Sequence, residues 1–160
     1  MKKLLSILLS FILLGNMAYV NAEGINTAQK EPILVEAKEP YFIDVDLTKL
    51  SSTMVFGEVY NMLVNTQDYI GKTIKMGGMY SSNFFDLTQK NYHYVVISDA
   101  MACCQQGLEF VIEEERKYPE EYPQIGNYIE VVGVFGVYEE LGTNYPYIKV
   151  LELKEKILIQ

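Results

Sequence analysis

Two adjacent cysteines, Cys103 and Cys104, are the only cysteines of this 160-residue chain. Neighbouring thiols lend themselves to few chemistries. Both thiolates can be aimed at one soft metal ion, Zn²⁺ or Cu⁺. They can close a strained vicinal disulfide, easily reduced, that acts as a redox or conformational switch or as a rigid turn. Or each packs separately as a small hydrophobe. A closed structural zinc site needs more than two thiolates. His93 is the only histidine, so the remaining ligands would be His93 with a carboxylate such as Asp99 or Glu109, or would come from a second molecule. No C-x-x-C or H-x-x-x-H spacing accompanies the pair. Adjacent residues on a strand point to opposite faces, so both sulfurs reach one ion only where the backbone turns. The sequence predicts such a turn over residues 102–107, with Gly107 taking the positive φ and at least one thiol facing the interior.

Around this pair lie aromatic residues suited to recognition. Tyr92 and Tyr94 flank His93, and the chain holds 13 tyrosines and no tryptophan. A surface band of tyrosines suits contact with a small ligand or a protein partner. The candidate ligand surface is therefore Cys103, Cys104, Gly107, Tyr92 and Tyr94, and the candidate metal set is Cys103, Cys104, His93 and Asp99. A lone histidine in a strand also reads as an ordinary packed or exposed residue. The run Glu113-Glu114-Glu115, with Glu120-Glu121 after it, lacks the alternating oxygens of a calcium loop and reads as a solvated face. There is no Gly-x-Ser-x-Gly elbow and no phosphate-cradling loop. A binding module is expected rather than an enzyme, with a metal-handling or thiol-redox protein as the alternative.

The elements that must position these residues are mostly strands. Residues 41–47 alternate well enough for a short strand. Ser51-Ser52-Thr53 can cap a helix over 54–63, in which Val55, Val59, Met62 and Leu63 form one stripe, with Phe56 at its edge. From Tyr69 the pattern becomes β: strands are expected over 73–81, 92–98, 108–112, 128–138 and 145–153. Gly77-Gly78, Gly133 and Gly136 fall inside strands, where they mark bulges or sharp bends. Gly142 makes the last two strands a hairpin, and residues 113–122 read as a loop or a single helical turn. The expected fold is mainly β: an OB-like five-stranded antiparallel barrel with an N-terminal helix.

The first residues read as an export signal. Met1-Lys2-Lys3 is basic, residues 4–14 are apolar apart from Ser6 and Ser10, and Val20-Asn21-Ala22 offers a signal-peptidase site before Glu23. The expected organisation is a signal peptide over 1–22, an extended lead segment over 23–43 and the OB-like domain over 44–160. The mature protein would then be periplasmic or secreted and carry no transmembrane domain, with an uncleaved N-terminal anchor as the alternative. Losing Lys2 and Lys3 moves the net charge from −8 to −10. So acidic a chain, without a Lys/Arg cluster, argues against nucleic acid as a partner.

From Tyr69 to about Val150 the chain resembles the soluble domain of a bacterial family of two-component permeases. The shared residues are Gly71-Lys72 at the first barrel strand, the passage from Val95 to Cys104, Gly107-Leu108 after it, and the Gly-x-x-Ile-Glu-Val-x-Gly strand over 126–133. The Cys-Cys-x-x-Gly-Leu element is the specific one. The run from Asp44 to Met62 also looks like small exported bacterial proteins. The multi-span portion of the permease family has no counterpart here, so transport is not carried over. The resemblance implies an exported OB-like domain and no particular reaction.

Overall fold

A computed structural model describes residues 31–156. The expected export signal over 1–22, and the part of the expected lead segment before Glu31, lie outside the described residues. The elements in order are β1 (Leu34–Val35), β2 (Val45–Asp46), a 3-10 turn (Leu47–Lys49), α1 (Ser52–Val64), a second 3-10 turn (Thr66–Asp68), β3 (Thr73–Phe85), β4 (Lys90–Ser98), β5 (Gln105–Val111), β6 (Tyr128–Glu140) and β7 (Thr143–Lys156). The five long strands close into an OB-like barrel.

Around the barrel β3 pairs with β4, β4 with β5, β5 with β7, β7 with β6, and β6 returns to β3. Four of these seams are antiparallel. The fifth is a short parallel pairing of Glu109–Val111 with Tyr147–Lys149, which joins the β3–β4–β5 meander to the β6–β7 hairpin. Closure gives each of the five strands two neighbours, so no strand is left at the end of an open sheet. β1 adds an antiparallel pairing to β7, and β2 a parallel one to β3.

The interior is filled by Ile74, Met76, Tyr80, Leu108, Phe110 and Phe135, among others, all essentially inaccessible. α1 covers it by packing against β4 and β5. Its expected stripe is the one in use: Val59 and Met62 are fully buried, and Val55, Phe56 and Leu63 pack partly buried against the core. Each fully buried side chain of this kind contributes roughly 1.5–3 kcal/mol. Ser51 stands at the N-cap position, but its side chain makes no capping hydrogen bond. The helix is tied to the barrel instead by Tyr69, whose hydroxyl donates to Glu58 (2.6 Å) and accepts from Asn61 (2.6 Å).

Two glycines answer distinct physical demands. A bulge falls between Val132 and Gly133, where a Cβ on Gly133 would lie 2.2 Å from the Lys149 carbonyl oxygen. No side chain fits there. At the β6–β7 turn Leu141 (φ 52°) and Gly142 (φ 78°) are both left-handed, the pairing a two-residue hairpin turn requires. The Tyr128 and Tyr147 rings occupy the space above Gly77 and Gly136, so these glycines seat aromatic rings instead of marking bulges.

Only Val45–Asp46 of the expected 41–47 strand is β. Asp46 ends it: its side chain accepts from the Thr48 amide (3.1 Å) and starts the 3-10 turn that carries Leu47 into the core. The lead segment joins the barrel through β1, with Ile33 and Val35 packed on the core.

Candidate functional site

The Cys-Cys turn is built by one aspartate. β4 ends at Ser98, paired with Gln105 at the start of β5, and residues 99–104 reverse the chain between them. Backbone bonds from Asp99 N–H to the Cys104 carbonyl (3.0 Å) and from Ala102 N–H to the Asp99 carbonyl (3.0 Å) close the turn. The Asp99 carboxylate then folds over it. Oδ1 accepts the Cys103 amide at 2.9 Å and the Cys104 amide at 3.4 Å, and Oδ2 accepts the Cys103 thiol at 3.0 Å. This is a side-chain–closed turn of the kind aspartate favours.

The left-handed residue is Ala102 (φ 54°). Gly107, expected to supply it, lies within β5 opposite Val96. The thiols also differ from expectation. Neither faces the barrel interior: Cys103 and Cys104 are both exposed and both free, with their sulfurs 3.6 Å apart. Neither core packing nor a formed disulfide describes them. Because the backbone turns at Ala102, the strand rule that sends neighbouring side chains to opposite faces does not operate. Asp99, Cys103 and Cys104 each offer a donor atom, all within 4.8 Å of one another.

Hydrogen bonds set the acidities at this turn. The Cys103 thiol, helped by the two backbone amides, holds the Asp99 carboxyl below its ordinary range. The same carboxylate, together with the neighbouring Cys104 thiol, pushes the Cys103 thiol up. The Cys103 thiol donates to a carboxylate whose charged form is favoured, so an incoming cation meets a negative oxygen beside two sulfurs.

His93 does not belong to this cluster. It lies opposite Phe110 in the β4–β5 register, six residues along β5 from Cys104 and so about 20 Å away at the usual strand rise. It is 9 % exposed. Its Nδ1 hydrogen-bonds the Tyr80 hydroxyl (2.7 Å), and its ring stacks on Tyr122 at 4.0 Å between centroids. Burial pushes its pKa down to about 4. The metal set therefore reduces to Asp99, Cys103 and Cys104.

Tyr92 and Tyr94 lie in a second place, a cleft away from the cysteines. Past Met79, β3 pairs with β4 alone, and past Val134, β6 pairs with β7 alone. The two hairpins splay as arms, with β5 between them. Glu140 on one arm accepts the Tyr92 hydroxyl (2.5 Å) and pairs with Lys90 (3.0 Å) on the other. Two adjoining cavities of about 390 and 290 Å³ open here, both lined by Tyr92, Glu109, Tyr138 and Glu140. The expected single surface joining Tyr92, Tyr94 and Gly107 to the cysteines is thus divided. Gly107 stays beside Tyr94, where a Cβ would meet the Tyr94 Cβ at 3.5 Å. Sequence reasoning missed Tyr138, Tyr145 and Tyr147 as partners of this cleft; the alternation Tyr145-Pro146-Tyr147 was the available signal.

Compared with models of protein families and with curated proteins, the chain matches none. Among the described residues no helix is long and apolar enough to cross a membrane.

Proposed function

We propose that this protein is an exported binding module that takes up a thiophilic metal ion, Zn²⁺ or Cu⁺, at the Asp99–Cys103–Cys104 turn. The observation that carries the reading is the convergence of two free, exposed thiols and one carboxylate within 4.8 Å on a single turn. Binding a divalent ion releases both thiol protons and leaves two thiolates and the carboxylate as ligands, so uptake strengthens as pH rises. Three protein donors leave a position open for water or for a ligand from another molecule. An exposed, incompletely closed site suits exchange of the ion better than its structural burial. Export rests on the basic start, the short apolar run and the Val20-Asn21-Ala22 site.

The test is metal retention by the reduced protein, compared with Cys103→Ser, Cys104→Ser and Asp99→Asn variants under chelator competition. One ion per chain is expected. Loss of either thiolate should weaken retention by about a hundredfold or more, and loss of the carboxylate by roughly tenfold, as removal of supporting groups does at metal sites. Retention unchanged by all three variants would remove the reading.

The thiols' 3.6 Å separation favours one second reading, a reversible dithiol. An oxidant takes two electrons and both thiol protons, and one S–S bond forms. Intact mass with and without reductant separates the two readings.

A further inference from the structure

The cleft between the two hairpin arms is independent of the cysteine turn, and its chemistry is different. At its floor stands Glu109, only 8 % exposed. Its register partners are Tyr94 on β4 and Tyr147 on β7, so the carboxyl lies between two tyrosines on the same face of the sheet. The Tyr138 hydroxyl donates to its Oε2 at 2.8 Å. Tyr138 in turn sits edge-on to Tyr147 (5.5 Å) and beside Tyr145 (5.7 Å). Glu140, at the mouth, is already engaged by Tyr92 and Lys90; Glu109 has a neutral hydroxyl as its partner.

We propose that this cleft binds an organic cation, an alkylammonium or guanidinium group, with Glu109 as the counter-ion and the surrounding tyrosine rings as the walls. A buried carboxylate held by one neutral hydrogen bond is costly, and a cation placed against it relieves that cost. Tyrosine faces attract cations by their quadrupoles, most strongly where water is excluded. Burial raises the Glu109 pKa and Glu140 adds to it, outweighing the Tyr138 hydrogen bond and the charge of Lys90, which lower it; a cation bound against the carboxyl would reverse the rise. A neutral sugar would also stack on tyrosines, but it would leave the Glu109 charge uncompensated. The cavities, of about 390 and 290 Å³, suit a small molecule. The net charge of −8 draws cations toward the protein generally.

The experiment is calorimetric titration of the full chain with spermidine, choline and argininamide, and with a neutral oligosaccharide. Saturable binding of at least one cation is expected, weakened by salt. Glu109→Gln keeps the shape and removes the charge; it should weaken that binding roughly tenfold or more, the scale of a lost charge-assisted contact. Tyr145→Ala, at a partly exposed position that leaves the core intact, should weaken it several-fold. Cys103→Ser and Cys104→Ser should bind as the parent does, so failure here and failure of the metal reading are separately visible. No binding of any of the three cations, equal binding by Glu109→Gln, or binding of the oligosaccharide alone would overturn the proposal.

Discussion

His93 should make the protein acid-sensitive in a defined window. Burial lowers its pKa from 6.5 to about 4, so the folded protein resists a proton that the unfolded chain accepts. A group whose folded pKa is depressed gives stability that is present above the unfolded value and is lost as pH falls through the folded one. The loss begins below about pH 6.5. It amounts to about 2 kcal/mol at pH 5 and about 3 kcal/mol at pH 4, taking 1.36 kcal/mol per pH unit. His93→Phe isolates this contribution. It removes the titration but strands the Tyr80 hydroxyl, which is 1 % exposed, at a cost of about 1–3 kcal/mol that does not vary with acid pH. Urea unfolding should therefore find the variant less stable than the parent at pH 7.5. The gap should close or invert by pH 4.5. Because the chain has a single histidine, one imidazole resonance reports its pKa by NMR without assignment. A pKa near 6.5, with a stability gap independent of pH, would refute the reasoning.

Glu109 carries the opposite sign. Its pKa is raised, first by burial, so its contribution is favourable below the unfolded value and lost as pH rises through the folded one; Glu109→Gln should raise the melting temperature at pH 7 and leave it unchanged at pH 3.5. Gly133→Ala would set a methyl group 2.2 Å from the Lys149 carbonyl oxygen and 2.5 Å from the Ile148 side chain. It should destabilise by about 1–3 kcal/mol or prevent folding, whereas Gly57→Ala, with open space around it on the exposed helix face, should stabilise by roughly 0.5–1 kcal/mol; denaturant midpoints decide both. N-terminal sequencing of the protein from outside the cytoplasm should return Glu23, and Met1 would favour the anchored form.

The five long strands were readable because apolar residues, many of them aromatic or β-branched, recur through each at strand spacing, and the structure extends most of them by a few residues into flanking polar positions such as Lys90 and Thr143. The α1 stripe was readable for the same reason: Val59 and Met62 fall on one face at helical spacing. The parallel seam between β5 and β7 was not, because it joins Glu109 to Tyr147 across the β6–β7 hairpin and leaves no local pattern. The cleft follows from that seam, so Glu109 could be noticed only as one carboxylate among many. The sequence sets the cysteine turn between the right two strands but over 102–107; it spans 99–104, and β5 already begins at Gln105. Gly107 looked like the residue for a positive φ; Ala102 takes it, because the Asp99 side chain supplies hydrogen bonds that hold the backbone there. His93 looked like a possible ligand by its type alone, while its position among Val95, Ile97 and other inward residues of β4 fixes it in the core.

The most direct measurement is native mass spectrometry of the reduced, folded protein exposed to Zn²⁺ or Cu⁺ in the presence of a competing chelator. The account predicts one metal ion per chain, bound with loss of two protons for Zn²⁺, and absent from a Cys103→Ser/Cys104→Ser double variant that keeps the parent's circular dichroism. Equal metal occupancy of the parent and the double variant, or none in the parent with both thiols still reduced, would contradict it.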